Sequence, residues 1–203
     1  MRKIILYGGS FDPIHIGHLI SARAAAERIR AERIVLIPTH IPPHKRGQAL
    51  ASVAHRTAMC RLATEGDALF DTSDWEATQP GPSYSLHTVE HFRGRFPDSE
   101  MYFLVGMDAL AELHSWFEIA RLADLCTFVT ARRPDCSAFH RDSLAQALTA
   151  EQIRRIEAHI IDSPMIDIRA TNIRERAANR QSIRYLVPES VRAYIELNQL
   201  YRS

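Results

Sequence analysis

Two histidines three residues apart, set behind a pair of glycines, are the first residues of this chain whose types and spacing could do chemistry. The segment reads Gly8-Gly9-Ser10-Phe11-Asp12-Pro13-Ile14-His15-Ile16-Gly17-His18 and follows a short apolar run, Lys3–Tyr7. Glycines at the end of a buried strand permit a tight turn and close approach of backbone to a ligand. A helix starting near Gly17 would offer unpaired N–H groups and the positive end of its dipole, which favour phosphate. His15 and His18 would share one side of that entrance, with Gly17 giving His18 room. Two imidazoles beside such amides can donate hydrogen bonds to phosphate oxygens as charge develops on them. Either histidine alone reads more readily as a half-buried surface residue; the eleven residues together do not.

Four further segments carry candidate groups. Thr39-His40-Ile41-Pro42-Pro43-His44-Lys45 has paired prolines that stiffen a loop, which would hold Lys45 as a fixed positive charge; by itself the segment reads as an exposed turn. Pro82-Ser83-Tyr84-Ser85-Leu86-His87-Thr88 opens a helical pattern, with Ser83 the expected N-cap. In Gly106-Met107-Asp108 through Trp116, Asp108 suits either ribose hydroxyls or a helix cap, and Trp116 either a flat heteroaromatic ring or the core. Asp167-Ile168-Arg169-Ala170-Thr171-Asn172-Ile173-Arg174 has Thr171 as an expected N-cap, with the Arg174 guanidinium in the first turn, a fork well suited to phosphate oxygens.

What must position these groups is an alternation of strands and helices. Lys3–Tyr7, Arg33–Ile37, Leu69–Ser73, Met101–Val105 and Thr127–Thr130 read as strands, with a weaker one over Ile160–Ile168 interrupted by Pro164. Gly17–Arg30, Ser52–Glu65, Ser83–Arg95 and Ala109–Leu122 read as helices. Arg141–Ile160 is a helical excursion, Pro188–Leu197 a closing helix, and Arg132–His140 a polar loop. Buried strands alternating with helices predict an α/β fold: a Rossmann-like, doubly wound parallel sheet of five to six strands with helices on both faces. Such sheets bind ligands at the carboxyl ends of their strands, which is where Gly8–His18, Thr39–Lys45 and Gly106–Asp108 fall. The whole chain, 1–203, reads as one domain with a small helical part from about 171–203.

Composition narrows the class. With 25 Lys+Arg against 24 Asp+Glu, the formal charge is +1, which argues against a general nucleic-acid binder. Three cysteines, Cys60, Cys126 and Cys136, form no CxxC pair, so a reducing, cytoplasmic setting without a membrane span is expected. Ten histidines raise the question of zinc, but no Cys/His spacing fits a closed tetrahedral site, and no protein-bound metal is expected. A nicotinamide-dependent oxidoreductase would carry GxGxxG after the first strand, and GGSFDP is not that.

The first segment resembles the HxGH signature of the nucleotidylyltransferase superfamily, and its extended form, GGSFDPIHIGH, is similar to that of the bacterial nicotinate-nucleotide adenylyltransferases. The resemblance extends to Pro42-Pro43-His44-Lys45, to Pro82–Thr88 (Ser85 standing where threonine is usual), to Gly106–Trp116, to Asp167–Arg174 and to the closing run as far as Tyr201. Arg169 and Ala170 depart from the two small, often hydroxylated residues of the family pattern, so main-chain contacts to adenine are expected there. Asp135–His159 resembles the family least.

This resemblance implies the nucleotidylyltransferase fold and transfer of AMP from ATP to nicotinate mononucleotide, with Mg²⁺ accompanying ATP. It implies His15, His18, Lys45 and Arg174 as the catalytic set. For ATP it implies Gly8, Gly9, Ser10, Phe11, His18, Gly106, Asp108, Ile168, Thr171 and Arg174. Nicotinate mononucleotide would meet Gly9, Ser10, His15, Thr39, His44, Lys45, Ser85, Trp116 and Arg133. The partners are these two nucleotides, with no nucleic acid and no membrane; a homo-oligomer is left open. The rivals are adenylyltransferases of the same fold acting on nicotinamide mononucleotide or phosphopantetheine, and a non-catalytic nucleotide sensor.

Overall fold

The computed structural model describes residues 1–42, 50–132, 141–164 and 166–202. Six strands form one parallel sheet in the order β3-β2-β1-β4-β5-β6: β1 Arg2–Gly9, β2 Arg33–Pro38, β3 Phe70–Thr72, β4 Ser99–Val105, β5 Thr127–Ala131 and β6 Ile160–Ile161. The chain winds outward from β1 to β3, then returns to place β4 on the other side of β1, with Leu6 opposite both Val35 and Phe103. Between β1 and β4 the winding direction reverses, and the crevice opens at that point.

The alternation of apolar residues along the central strands fills two cores. Ile4 and Leu6 face the helices α3 (Ser85–Arg95), α4 (Met107–Ala111), α5 (Ile119–Leu125), α6 (Arg141–Leu144) and α7 (Ala150–Glu157). Ile5, Leu36 and Leu104 face α1 (Ile16–Ile29), α2 (Val53–Ala63), α8 (Ala170–Ala178) and α9 (Glu189–Leu197). Ala22, Ala25 and Ala26 are all buried in α1; small side chains let that helix lie close on the sheet. Among the described residues, no helix is long and apolar enough to cross a membrane.

Several elements differ from the sequence expectation. The pattern over Ala109–Leu122 is broken into α4, a 3-10 turn at Leu113–Ser115, and α5, with Trp116 extended (φ −72°, ψ 146°) and Glu118 left-handed (φ 46°). Two adjacent aromatics, poor helix formers, sit at this break, and Trp116 packs edge-on against Phe103 and Phe128. The sixth strand stops at Ile161, well short of Ile168. The excursion expected over Arg141–Ile160 is two helices, the second capped by a Thr149–Gln152 box. α3 begins at Ser85 without a side-chain cap, because Ser83 Oγ accepts the N–H groups of His40 and Ile41 instead. α8 begins at Ala170, so Thr171 lies inside it, where its hydroxyl accepts from Arg174 Nη2.

Candidate active site

One part of the site is built around the turn that follows β1. A Cβ on Gly9 would lie 3.1 to 3.3 Å from the Phe11 ring, and one on Gly8 would lie 3.2 Å from Phe103. Phe11 is left-handed (φ 45°) and 2% exposed. That conformation costs a bulky residue about 1 kcal/mol or more, and the ring is held by edge contacts to Tyr7 and His18, each 5.2 Å between centres. The strand's last peptides therefore lie directly over an aromatic floor.

His15 is the N-cap of α1, not one of its flanking surface residues. The His18 N–H donates to His15 Nδ1 (3.4 Å) and the His15 N–H to His18 Nδ1 (3.2 Å), a capping box made of two imidazoles. The rings stack 3.6 Å apart at 22°. With Nδ1 accepting on both rings, each neutral imidazole carries its proton on Nε2, the atom directed away from its own cap. The expected open cradle of α1 amides is partly closed: the His18 N–H belongs to the cap, and the Ile16 N–H donates to the Leu186 carbonyl. Gly17 makes room for His15 rather than for His18, since a Cβ there would lie 3.1 Å from His15 Nδ1.

Arg174 reaches the same turn from α8. Its Nη1 donates to the Asp12 carbonyl at 2.8 Å and stands 3.9 Å from Asp12 Oδ2. It is a docked side chain, not a solvated one. Ile166 lies against the start of α1, 3.6 Å from where a Gly17 Cβ would stand, and Ile168 packs on the second core. α8 has no side-chain cap, so its first-turn amides are available to an anion.

From this turn a cleft of about 840 Å³ runs along the carboxyl ends of the strands. Gly8, Gly9, Ser10, Thr39, Ser85, Gly106, Asp108 and Trp116 line it. These eight were all expected from the sequence. Lys45, His44 and Arg133 lie outside the described residues. Tyr84 and Phe117, with ring centres 4.6 Å apart and planes tilted by 32°, also line it and were missed; their adjacency to Ser85 and Trp116 was the available signal.

Glu76 was missed as well, and nothing in its local sequence singles it out. It borders the cleft, is 5% exposed and accepts from Thr88 Oγ1 at 2.7 Å. Burial pushes its carboxyl above the ordinary range, while hydrogen bonding from Thr88, Ser83 and the His40 amide opposes that shift. Among the described residues no group of three His, Cys, Asp or Glu side chains comes together as a metal cage.

The glycine turn walls this cleft at the switch point, whereas His15, His18 and Arg174, expected to act with it, are not among its lining residues. The cytidylyltransferase-like family model matches residues 6–176. The chain belongs to this family. Within the cytidylyltransferase-like family its relatives include proteins named as probable nicotinate-nucleotide adenylyltransferases. It is 39% identical to the "probable nicotinate-nucleotide adenylyltransferase" of Desulfatibacillum aliphaticivorans, covering 98% of this chain and 99% of that one. It is 40% identical to the protein so named in Roseiflexus castenholzii, covering 97% and 96%. Among solved structures, the nicotinic acid mononucleotide adenylyltransferase of Plasmodium falciparum complexed with NaAD superposes with a TM-score of 0.76 at 18% identity, over 99% of this chain and 98% of that one. That likeness gives the fold of the cytidylyltransferase-like family to this sheet and its helices.

Proposed function

We propose that the chain is a nicotinate-nucleotide adenylyltransferase: it transfers AMP from ATP to nicotinate mononucleotide, yielding nicotinate adenine dinucleotide and pyrophosphate in NAD biosynthesis. The observation that carries this reading is the cleft itself, which is lined both by the glycine turn after β1 and by the aromatic side chains of Trp116, Tyr84 and Phe117. Full-length relatives named for this activity support it.

The 5′-phosphate oxygen of the mononucleotide attacks the α-phosphorus of ATP, a new P–O bond forms, and the bond to pyrophosphate breaks in line. The nucleophile is already an anion near neutral pH, so no strong base is needed, and catalysis rests on positioning and charge stabilisation. His15 and His18 donate from Nε2, His15 to the reacting phosphates and His18 to the triphosphate. Arg174 and Lys45 hold the β- and γ-phosphates. Asp108 accepts from ribose hydroxyls of ATP; Gly106, Ile168 and Thr171 border its nucleoside, and Gly8 to Phe11 its phosphates. Trp116 faces the pyridine ring, Ser85 and the amides beside it meet the nicotinate carboxylate, and Thr39, His44 and Arg133 complete that side.

The donor set suits magnesium that would arrive on ATP and would need no protein cage; Asp108, a carboxylate on the cleft wall, is the residue that would face it. The ion supplies neutralisation of phosphate charge. A cytoplasmic location is also proposed, supported by the unpaired thiols of Cys60 and Cys126.

The test is pyrophosphate release from ATP, Mg²⁺ and either nicotinate or nicotinamide mononucleotide. Strong preference for the acid is expected. Equal use would make the enzyme dual in specificity, and no release with either would discard the reading.

A further inference from the structure

Asp12 gathers four separate stretches of chain at the phosphate end. Its carboxylate is 1% exposed. At Oδ1 it accepts the Tyr201 hydroxyl (2.7 Å) and the Ala51 N–H (3.2 Å), while its backbone carbonyl accepts from Arg174 Nη1 (2.8 Å). Oδ2 has no hydrogen-bond partner among the described residues and stands 3.9 Å from Arg174 Nη1. Arg56, 2% exposed, holds the other side of the turn through the carbonyls of Ser10 (2.8 Å) and Ala51 (2.9 Å). Charges this deeply buried are retained only with partners. Burial pulls the Arg56 guanidinium down and the Asp12 carboxylate opposes this; burial, then Asp12, holds the Tyr201 phenol well above its ordinary range, so its proton stays available to donate.

Tyr201 reaches Asp12 by an unusual backbone route. After α9 the chain places Gln199 (φ 51°) and Tyr201 (φ 63°) in the left-handed region, which side chains other than glycine rarely adopt. The ring packs on the second core beside Leu200. Helix termination needs only one left-handed residue; the second turns the phenol onto Asp12.

We infer that Tyr201 is a positioning residue for the triphosphate end of the site: its hydroxyl fixes Asp12, and Asp12 in turn fixes Arg174 and the Ser10–Asp12 turn against ATP. This rests on the reading of the site given above, in which Arg174 meets the triphosphate. The hydroxyl touches no substrate and works through Asp12. Removing it frees Asp12, loosens Arg174, and weakens ATP while leaving the pyridine nucleotide unaffected.

The experiment uses Tyr201→Phe, which keeps the ring and removes the donor. Binding of a non-hydrolysable ATP analogue is measured by calorimetry, and KM for each substrate by pyrophosphate release, with melting temperature recorded alongside. The expected result is a loss of ATP affinity of about fivefold or more, a KM for nicotinate mononucleotide within about twofold, and no further loss when Tyr201→Phe is added to Arg174→Ala. ATP affinity equal to wild type overturns the inference. So does an equal loss for both substrates, or a loss that adds fully to that of Arg174→Ala, since either describes a fold-wide effect. Wild-type protein that releases no pyrophosphate fails the activity reading instead, a result separable from all of these.

Discussion

The imidazoles of His15 and His18 close a reciprocal cap on α1, each accepting the other's backbone N–H at Nδ1, with ring centres 3.6 Å apart. One pair of side chains thus ends a helix with one nitrogen each, and the proposed reaction uses the other. The two duties can be separated by substitution.

An asparagine at position 18 keeps an acceptor near the place of Nδ1 and lacks the Nε2 donor. His18→Asn is expected to retain the cap, with stability within about 0.5 kcal/mol of wild type, whereas His18→Ala loses about 1 kcal/mol. Both should lose at least tenfold in kcat, about 1.4 kcal/mol of transition-state stabilisation. Thermal melts beside steady-state kinetics check this; activity within tenfold in His18→Ala would remove His18 from the reaction.

Gly17→Ala places a methyl group 3.1 to 3.2 Å from the His15 ring, and that ring, 2% exposed and stacked on His18, has nowhere to move. Helix propensity favours alanine by about 1 kcal/mol, which offsets the crowding. The expected variant melts near wild type yet turns over about tenfold more slowly or worse. Circular dichroism and kcat are the measurements, and unchanged kcat would show that the ring's position is not critical.

Trp116 packs edge-on between Phe103 and Phe128 while lining the cleft. Because it is only half-buried, Trp116→Ala should cost about 2 kcal/mol, below the range for a fully buried tryptophan. KM for the mononucleotide should rise about tenfold, with KM for ATP little changed. A parallel rise in both would assign Trp116 to packing alone.

Glu76 gives stability a definite pH slope. Its native carboxyl lies above the ordinary value because it is buried, so between the unfolded value near 4.3 and the raised native one the folded state binds more protons. Its contribution is therefore fully present below the unfolded value and is lost as pH rises through the native one. Glu76→Gln keeps an acceptor for Thr88 and removes the titration. Urea midpoints from pH 4 to 8 should fall less in the variant than in wild type; identical slopes would contradict the shift.

Burial pushes the Cys126 thiol up to about 12 and that of Cys60 higher still. Thiolates are the reactive form, so in a Cys136→Ser background the native protein should take up no aromatic disulfide reagent at pH 8. Both thiols should react on unfolding in urea. Rapid labelling of the native protein would show that one of these cores opens readily.

Local chemistry made much of this legible. Strand runs such as Arg33–Ile37, the α1 alanines and the glycine turn each carry their own signal, and the phosphate role proposed for the turn was read from its residue types together with the family resemblance. The break at Trp116 was not legible, because it depends on Phe103 and Phe128, which belong to strands β4 and β5. Ser83 was read as a cap for its own helix, whereas it satisfies the amides of His40 and Ile41, more than forty residues earlier. Glu76 and Asp12 owe their importance to burial among distant groups, which no spacing records. The histidine spacing announced a pair on one side of a helix start, yet the cap between them appears only in three dimensions.

The contact between Asp12 and Tyr201 spans 189 positions of sequence. At about 5–20 residues per second, roughly 10 to 40 s of synthesis separate the first residue of that pair from the second. The turn is made first and is secured only when its distant partner leaves the ribosome. A chain halted within α9 could have all six strands in place and still lack the hydroxyl that secures the turn. Emergence of Tyr201 from the ribosome is thus the event that joins the two ends of this contact.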